Sequence, residues 1–242
     1  MSIAKLSYTK PPVIEAVIDI SLTSENEGIS DKIDSLKLIL KNEYPTQTDI
    51  QIVSTPIGQF EKAPKFEKLG VRFTSTDGHY VLQAKKNGFT FGVVNFYEGW
   101  EKFYLEAKKL WDKYCEKIHP QKVNRVATRF INRIDIPSES FKLEEYFNTY
   151  PTVLKNKECN LSGFFLQVQI PQEGGGIAII TQTITNSVNP GITTPILLDI
   201  GVFEEKQFES LEGAWEKLKI LRNQKNKLFE DSLTQKAKDL FS

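Results

Sequence analysis

The sequence predicts an α+β fold made of two similar antiparallel sheet-plus-helix halves, residues 1–120 and 121–242, the second ending in a long C-terminal helix. Three observations carry this. Short β-branched runs such as Val13–Ile20 alternate in polarity. The dipeptides Asp77-Gly78 and Asn87-Gly88 cut one stretch into consecutive strands. Two long segments, Trp100–His119 and the chain from Leu211 onward, carry apolar residues at helical spacing.

In chain order, Pro11-Pro12 stiffens the entry to a first strand. Alternation there puts Ile14, Ala16, Ile18 and Ile20 on one face and Val13, Glu15, Val17 and Asp19 on the other. A helix follows on Ile29, Ile33, Leu36 and Leu40, with Ser30 as expected N-cap and Pro45 as its end. Residues 50–60 read as a strand broken at Pro56. The two turn dipeptides, of the type I′ kind, then divide 70–76, 79–85 and 89–96 into a meander. The next helix buries Trp100, Phe103, Ala107, Leu110, Trp111, Tyr114 and Ile118, and Pro120 closes it.

The second half repeats that order loosely: a strand over 123–136, a short helix at 143–147, strands at 164–170 and 177–185 around Gly174-Gly175-Gly176, a strand at 195–204, then the terminal helix, recapped near Ser232-Leu-Thr-Gln. The element order, though not the residues, repeats. It resembles the half-repeat of TATA-binding-protein-like folds and, more loosely, helix-grip folds, with a paired ferredoxin-like arrangement as the competing architecture. A shared fold does not fix a function.

Composition narrows the function classes. The chain has 242 residues, 40% hydrophobic and 26% charged, with 31 basic and 31 acidic side chains, 16 of each in 1–120 and 15 of each in 121–242. Neither half has the basic excess that phosphate neutralisation demands, so nucleic-acid binding is demoted to an alternative. No apolar run approaches the ~20 residues of a membrane span, and no signal peptide is evident at Met1-Ser2-Ile3. Cys115 and Cys159 make no disulfide framework, so a cytoplasmic setting is expected. The two histidines, His79 and His119, stand apart at exposed element ends, and no metal-ligand spacing, P-loop or nucleophile–base pair is evident. No cofactor and no metal is expected, and the reading leans away from an enzyme.

The middle strand is chemically odd. Val126, Phe130, Ile134 and Ile136 share one face with Asn124, Thr128 and Asn132, while Arg125, Arg129, Arg133 and Asp135 line the other. Successive arginines sit about 13 Å apart along the strand, so two can grip one anion only by leaning together. With Glu15 and Asp19 they form a candidate polar cluster: Glu15, Asp19, Arg125, Arg129, Asn132, Arg133 and Asp135. The preferred reading is a structural ion-pair network tying the halves together; the sharper one is an anion site.

Two further sets are candidate interface residues. Tyr80, Phe89 and Phe91 decorate the meander, mostly as core, with an exposed aromatic platform as the alternative. In the terminal helix, Arg222, Lys225 and Asn226 interrupt the stripe of Leu211, Ala214, Trp215, Leu218, Leu221, Leu228 and Phe229, and Lys225 is expected to snorkel to solvent.

Three segments carry a resemblance. Lys10-Pro-Pro-Val-Ile-Glu-Ala-Val, Arg129-Phe-Ile-Asn-Arg-Ile-Asp135 and the Leu221…Asn226…Phe229…Leu233-Thr234 pattern resemble a sporadically distributed bacterial family of uncharacterised proteins of about this length. The resemblance spans nearly the whole chain and implies a mobile accessory gene of the phage-defence or toxin–antitoxin kind, with no catalytic residues to carry over. The leading expectation is therefore a non-catalytic accessory protein that contacts a protein partner or itself, with a small anionic ligand in reach and no membrane. Two alternatives stand beside it. One is a nucleic-acid module using the sheet face. The other is an enzyme on a phosphorylated or nucleotide-like substrate, with Arg129 and Arg133 as clamps and Glu15 or Asp135 as base.

Overall fold

The protein is described from a computed structural model covering residues 8–23, 28–54, 65–137, 142–152, 163–187 and 191–242. Among these residues the fold is α+β: nine strands in one antiparallel sheet, with four helices. The strands are β1 (Val13–Thr23), β2 (Thr46–Ser54), β3 (Lys65–Thr74), β4 (Tyr80–Lys85), β5 (Gly88–Val94), β6 (Lys122–Pro137), β7 (Phe165–Pro171), β8 (Ile177–Ile184) and β9 (Thr193–Glu205). The helices are α1 (Ile29–Leu40), α2 (Trp100–Ile118), α3 (Leu211–Ser232) and α4 (Gln235–Lys238). The strand order is β2-β3-β4-β5-β1-β6-β9-β8-β7.

Contacts group the chain into two compact units. One contains Met1–Ala16, Thr128–Glu204 and Lys219–Ser242; the other contains Val17–Ala127 and Glu205–Leu218. The expected boundary at 120/121 is not where the contacts divide, because β1, β6 and α3 each contribute residues to both units.

In the Val17–Ala127 unit the core is the side of the sheet that α1 and α2 cover. Ile18, Ile20, Phe73, Leu82, Phe89 and Phe91 are buried, and the stripe expected on α2 is the buried stripe of that helix. Trp111 stands edge-on to Phe89 (5.3 Å) and stacks on Trp215 of α3 (5.9 Å, 15°). Tyr114 donates its hydroxyl to Lys85 O at 2.7 Å, which satisfies a polar group inside the core.

Several local expectations change. Gly28, in the left-handed region at φ 72°, precedes α1, and Ser30 lies inside the helix. Both hairpins form, but neither turn is type I′. The Lys85–Gly88 pair closes over Lys86 and Asn87, and neither of these takes the positive φ that type I′ requires. Gly78 alone supplies positive φ in the other loop. Gly88 serves a different purpose: a Cβ there would sit 2.7 Å from Ile20 O. β2 begins earlier than expected, at Thr46, and the expected break at Pro56 lies outside the described residues, as does Cys159.

In the other unit β7, β8 and β9 form a regular antiparallel ladder. Gly174, Gly175 and Gly176 all take positive φ in the β7–β8 turn, where a Cβ on Gly176 would lie 2.9 Å from Phe203 O. α3 ends at Ser232, and Thr234 caps α4 by accepting from Ala237 N at 3.4 Å. No helix among the described residues is long and apolar enough to cross a membrane.

Candidate functional site

The face of each unit that no described helix covers carries a polar row set by strand alternation. In the Val17–Ala127 unit, Asp19 of β1 accepts from Arg125 Nη1 and from Thr90 Oγ1, both at 2.7 Å. Lys85 donates to Thr90 Oγ1 at 2.9 Å and lies 3.7 Å from Asp19. Glu205 stands 4.0 Å from Arg125 Nε. Register continues this row outward, since Thr90 is opposite Gln83 and Gln83 is opposite Arg72.

In the other unit, Arg129 of β6 holds Asp199 of β9 through a fork: Nε at 2.9 Å from Oδ1 and Nη2 at 2.6 Å from Oδ2. The Arg129 stem passes over Gly201 at ordinary van der Waals distance, its Cγ 3.8 Å from where a Cβ would sit. The pair raises the Arg129 guanidinium above its ordinary pKa, first through the Asp199 hydrogen bonds and further through the Glu15 charge. Asp199 is opposite Thr181, and Gln167 of β7 donates to Thr181 Oγ1 at 3.1 Å. Arg133 turns to Asp135, two residues on, at 3.0–3.2 Å.

The seven-residue candidate cluster is thus several separate pairings. Asp19 meets Arg125, as the strand faces suggested. Arg129 is held by Asp199, which the sequence reading did not single out. Its signal was present: one acid within the apolar run Ile196-Leu-Leu-Asp-Ile-Gly. Glu15 acts on Arg129 only as a nearby charge. Asn132 leaves the cluster altogether. Strand parity turns it to the core, 2% exposed, where it donates to Leu198 O at 3.0 Å.

The aromatic platform is also corrected. Phe89 and Phe91 are fully buried, because β5 alternation aims them at α2, where Phe91 stacks on Phe103 at 5.4 Å. Tyr80 stacks on Phe91 and lines a cleft of about 590 Å³ with Leu105, Glu43, Glu106 and Lys109. Lysine–carboxylate pairs occupy that cleft, Lys109 lying 2.6 Å from Glu43 and 2.8 Å from Glu106. Tyr44 donates to Glu106 at 2.8 Å.

Lys225 does not reach solvent. Its Nζ lies 3.7 Å from the Phe130 ring centroid and the residue is 7% exposed. Burial pushes its pKa down to about 7; Arg222 adds to the fall, and Glu230 opposes it. Asn226, next along α3, is half-buried. The same core holds Thr128 and Gln182, whose side-chain polar atoms find no partner among the described residues. Burial also raises the Cys115 thiol to about 12, the behaviour of a packed cysteine rather than a reactive one.

Among the described residues no group of three or more His, Cys, Asp or Glu side chains is placed to hold a metal ion. No protein-family model and no curated protein matches the chain.

Proposed function

We propose that this chain is a non-catalytic binding protein that presents the uncovered face of its sheet to a protein partner. The observation that carries the reading is the state of the arginines. Arg125, Arg129 and Arg133 are each engaged by a carboxylate, so the face is polar, structured and internally neutralised. Such a face suits a protein surface, which supplies hydrogen-bonding groups of both kinds. A small anion has access only by displacing Asp199 from Arg129 or Asp19 from Arg125, at the cost of the fork already made. A phosphate backbone would have to do so repeatedly, which weighs against the nucleic-acid reading.

The strand order supports the finer architectural reading. β1 is flanked by β5 and then β4, while β6 is flanked by β9 and then β8, the neighbours that two TATA-binding-protein-like halves require. A defence or toxin–antitoxin setting rests on the family resemblance alone.

The test is affinity purification from the native host with the wild-type chain, Arg129→Ala and Thr181→Glu. A partner held by the wild type and lost with either substitution supports the reading. Capture indifferent to both, or affinity for DNA or RNA that falls steeply with salt, would overturn it.

A further inference from the structure

We infer that β7 is a pairing edge for a second copy of this chain, giving a two-fold dimer through antiparallel β7–β7 addition. This is independent of the partner proposed for the open face. β7 is the terminal strand of the sheet, and none of its seven residues, Phe165-Leu-Gln-Val-Gln-Ile-Pro171, is charged. Soluble proteins ordinarily guard such an edge with charge, a bulge or a covering segment. The opposite terminal strand, β2, does carry a charge: Asp49, bonded to Lys37 at 2.9 Å and 3.1 Å from Lys68.

The geometry of the edge is regular. Gln172 N donates to Gly176 O at 3.0 Å as the β7–β8 hairpin closes. By ladder alternation the main-chain groups of Leu166, Val168 and Ile170 then face β8, and those of Phe165, Gln167 and Gln169 face outward. Pro171, which has no N–H to offer, falls in the outward set, where an edge strand tolerates it. Pro171 O accepts from Gln172 Nε2 at 3.4 Å; among the described residues, nothing bonds the outward main-chain groups of Phe165, Gln167 and Gln169.

Side-chain rows make a second copy the fitting occupant. Leu166, Val168 and Ile170 stand opposite Gln182, Ile180 and Ala178, all three of them buried, so the core row runs out through them to the edge. They are only half-buried or exposed themselves. An antiparallel copy of β7 carries the same apolar row on the same side and the same Phe165, Gln167, Gln169 row on the other. Such self-pairing brings no like charges together and extends the core by one strand. A two-fold contact of this kind closes at two copies.

Analytical ultracentrifugation of the full chain tests this. The expected species has twice the 27.6 kDa chain mass. The double variant Gln167→Lys/Gln169→Lys places lysines across the two-fold and is expected to give a monomer that still melts cooperatively, at a temperature that no longer depends on concentration. Amide exchange at Gln167 and Gln169 of the wild type is expected to slow as concentration rises, a readout that holds even if the variant does not fold. A chain monomeric throughout, an open polymer, or a dimer that the lysines leave intact with unprotected Gln167 and Gln169 amides would overturn the inference.

Discussion

Lys225 shows how one residue can set a pH dependence for the fold. In the folded chain its ammonium is stripped of water above Phe130 and loses its proton near pH 7, whereas in the unfolded chain an ordinary lysine holds it to about 10.4. Between those values the unfolded chain binds more protons, so this group favours the folded state progressively as pH rises through the window. Below about 7 both states are protonated and its penalty is felt in full. Lys225→Met keeps the stem and removes the charge. We expect it to raise stability at neutral pH by about 1–4 kcal/mol and to flatten the rise between roughly pH 7 and 10. Urea midpoints across that range check both; a variant with the wild-type slope would contradict the assignment. The Arg129–Asp199 fork is different in kind: its guanidinium is about half exposed, so whatever it contributes to stability is small.

Elements here are spaced by what their backbones allow. β3 and β4 pair with Gly70 opposite Lys85, and a Cβ on Gly70 would collide with the Ala84 carbonyl. That oxygen belongs to a paired strand and cannot swing aside as a side-chain tip would. Gly70 needs no positive φ, so the constraint is one of space alone. Gly70→Ala is expected to cost about 1–3 kcal/mol, read from the midpoint of thermal or denaturant unfolding. An unchanged midpoint would show that β3 shifts freely over β4. The amphipathic stripe of α2 was legible because helical spacing maps directly to burial; the Gly70 constraint was not, because nothing local to residue 70 records where the neighbouring strand's carbonyl lies.

For the whole molecule, chain continuity and compactness do not coincide. The Val17–Ala127 unit takes Glu205–Leu218 from far along the sequence, including Trp215, which is fully buried and stacks on Trp111. A fragment cut at 120/121 deprives that unit of its share of β6, Lys122–Ala127, and of Trp215. We therefore expect neither 1–120 nor 121–242 to fold alone, read as collapsed amide dispersion in NMR spectra and loss of a cooperative melt. Independent folding of both fragments would show that the contiguous halves are the true domains.

Local sequence recorded the class of fold, most of the strands and the long helices, and the buried stripes of α1, α2 and β6, because alternation and helical spacing show which side faces the core; it misplaced β2 and the start of β3. It also marked Arg125, Arg129 and Arg133 as a charged row. Their partners come from the folded chain: Asp199 is 70 residues from Arg129 and Asp19 is 106 from Arg125. The tertiary structure decided too that Lys225 stays inside, that Asn132, already on the apolar face by alternation, bonds Leu198 O, and that β7 ends the sheet. Pairings of that kind are set by strand order and register, which join residues that no window of sequence contains.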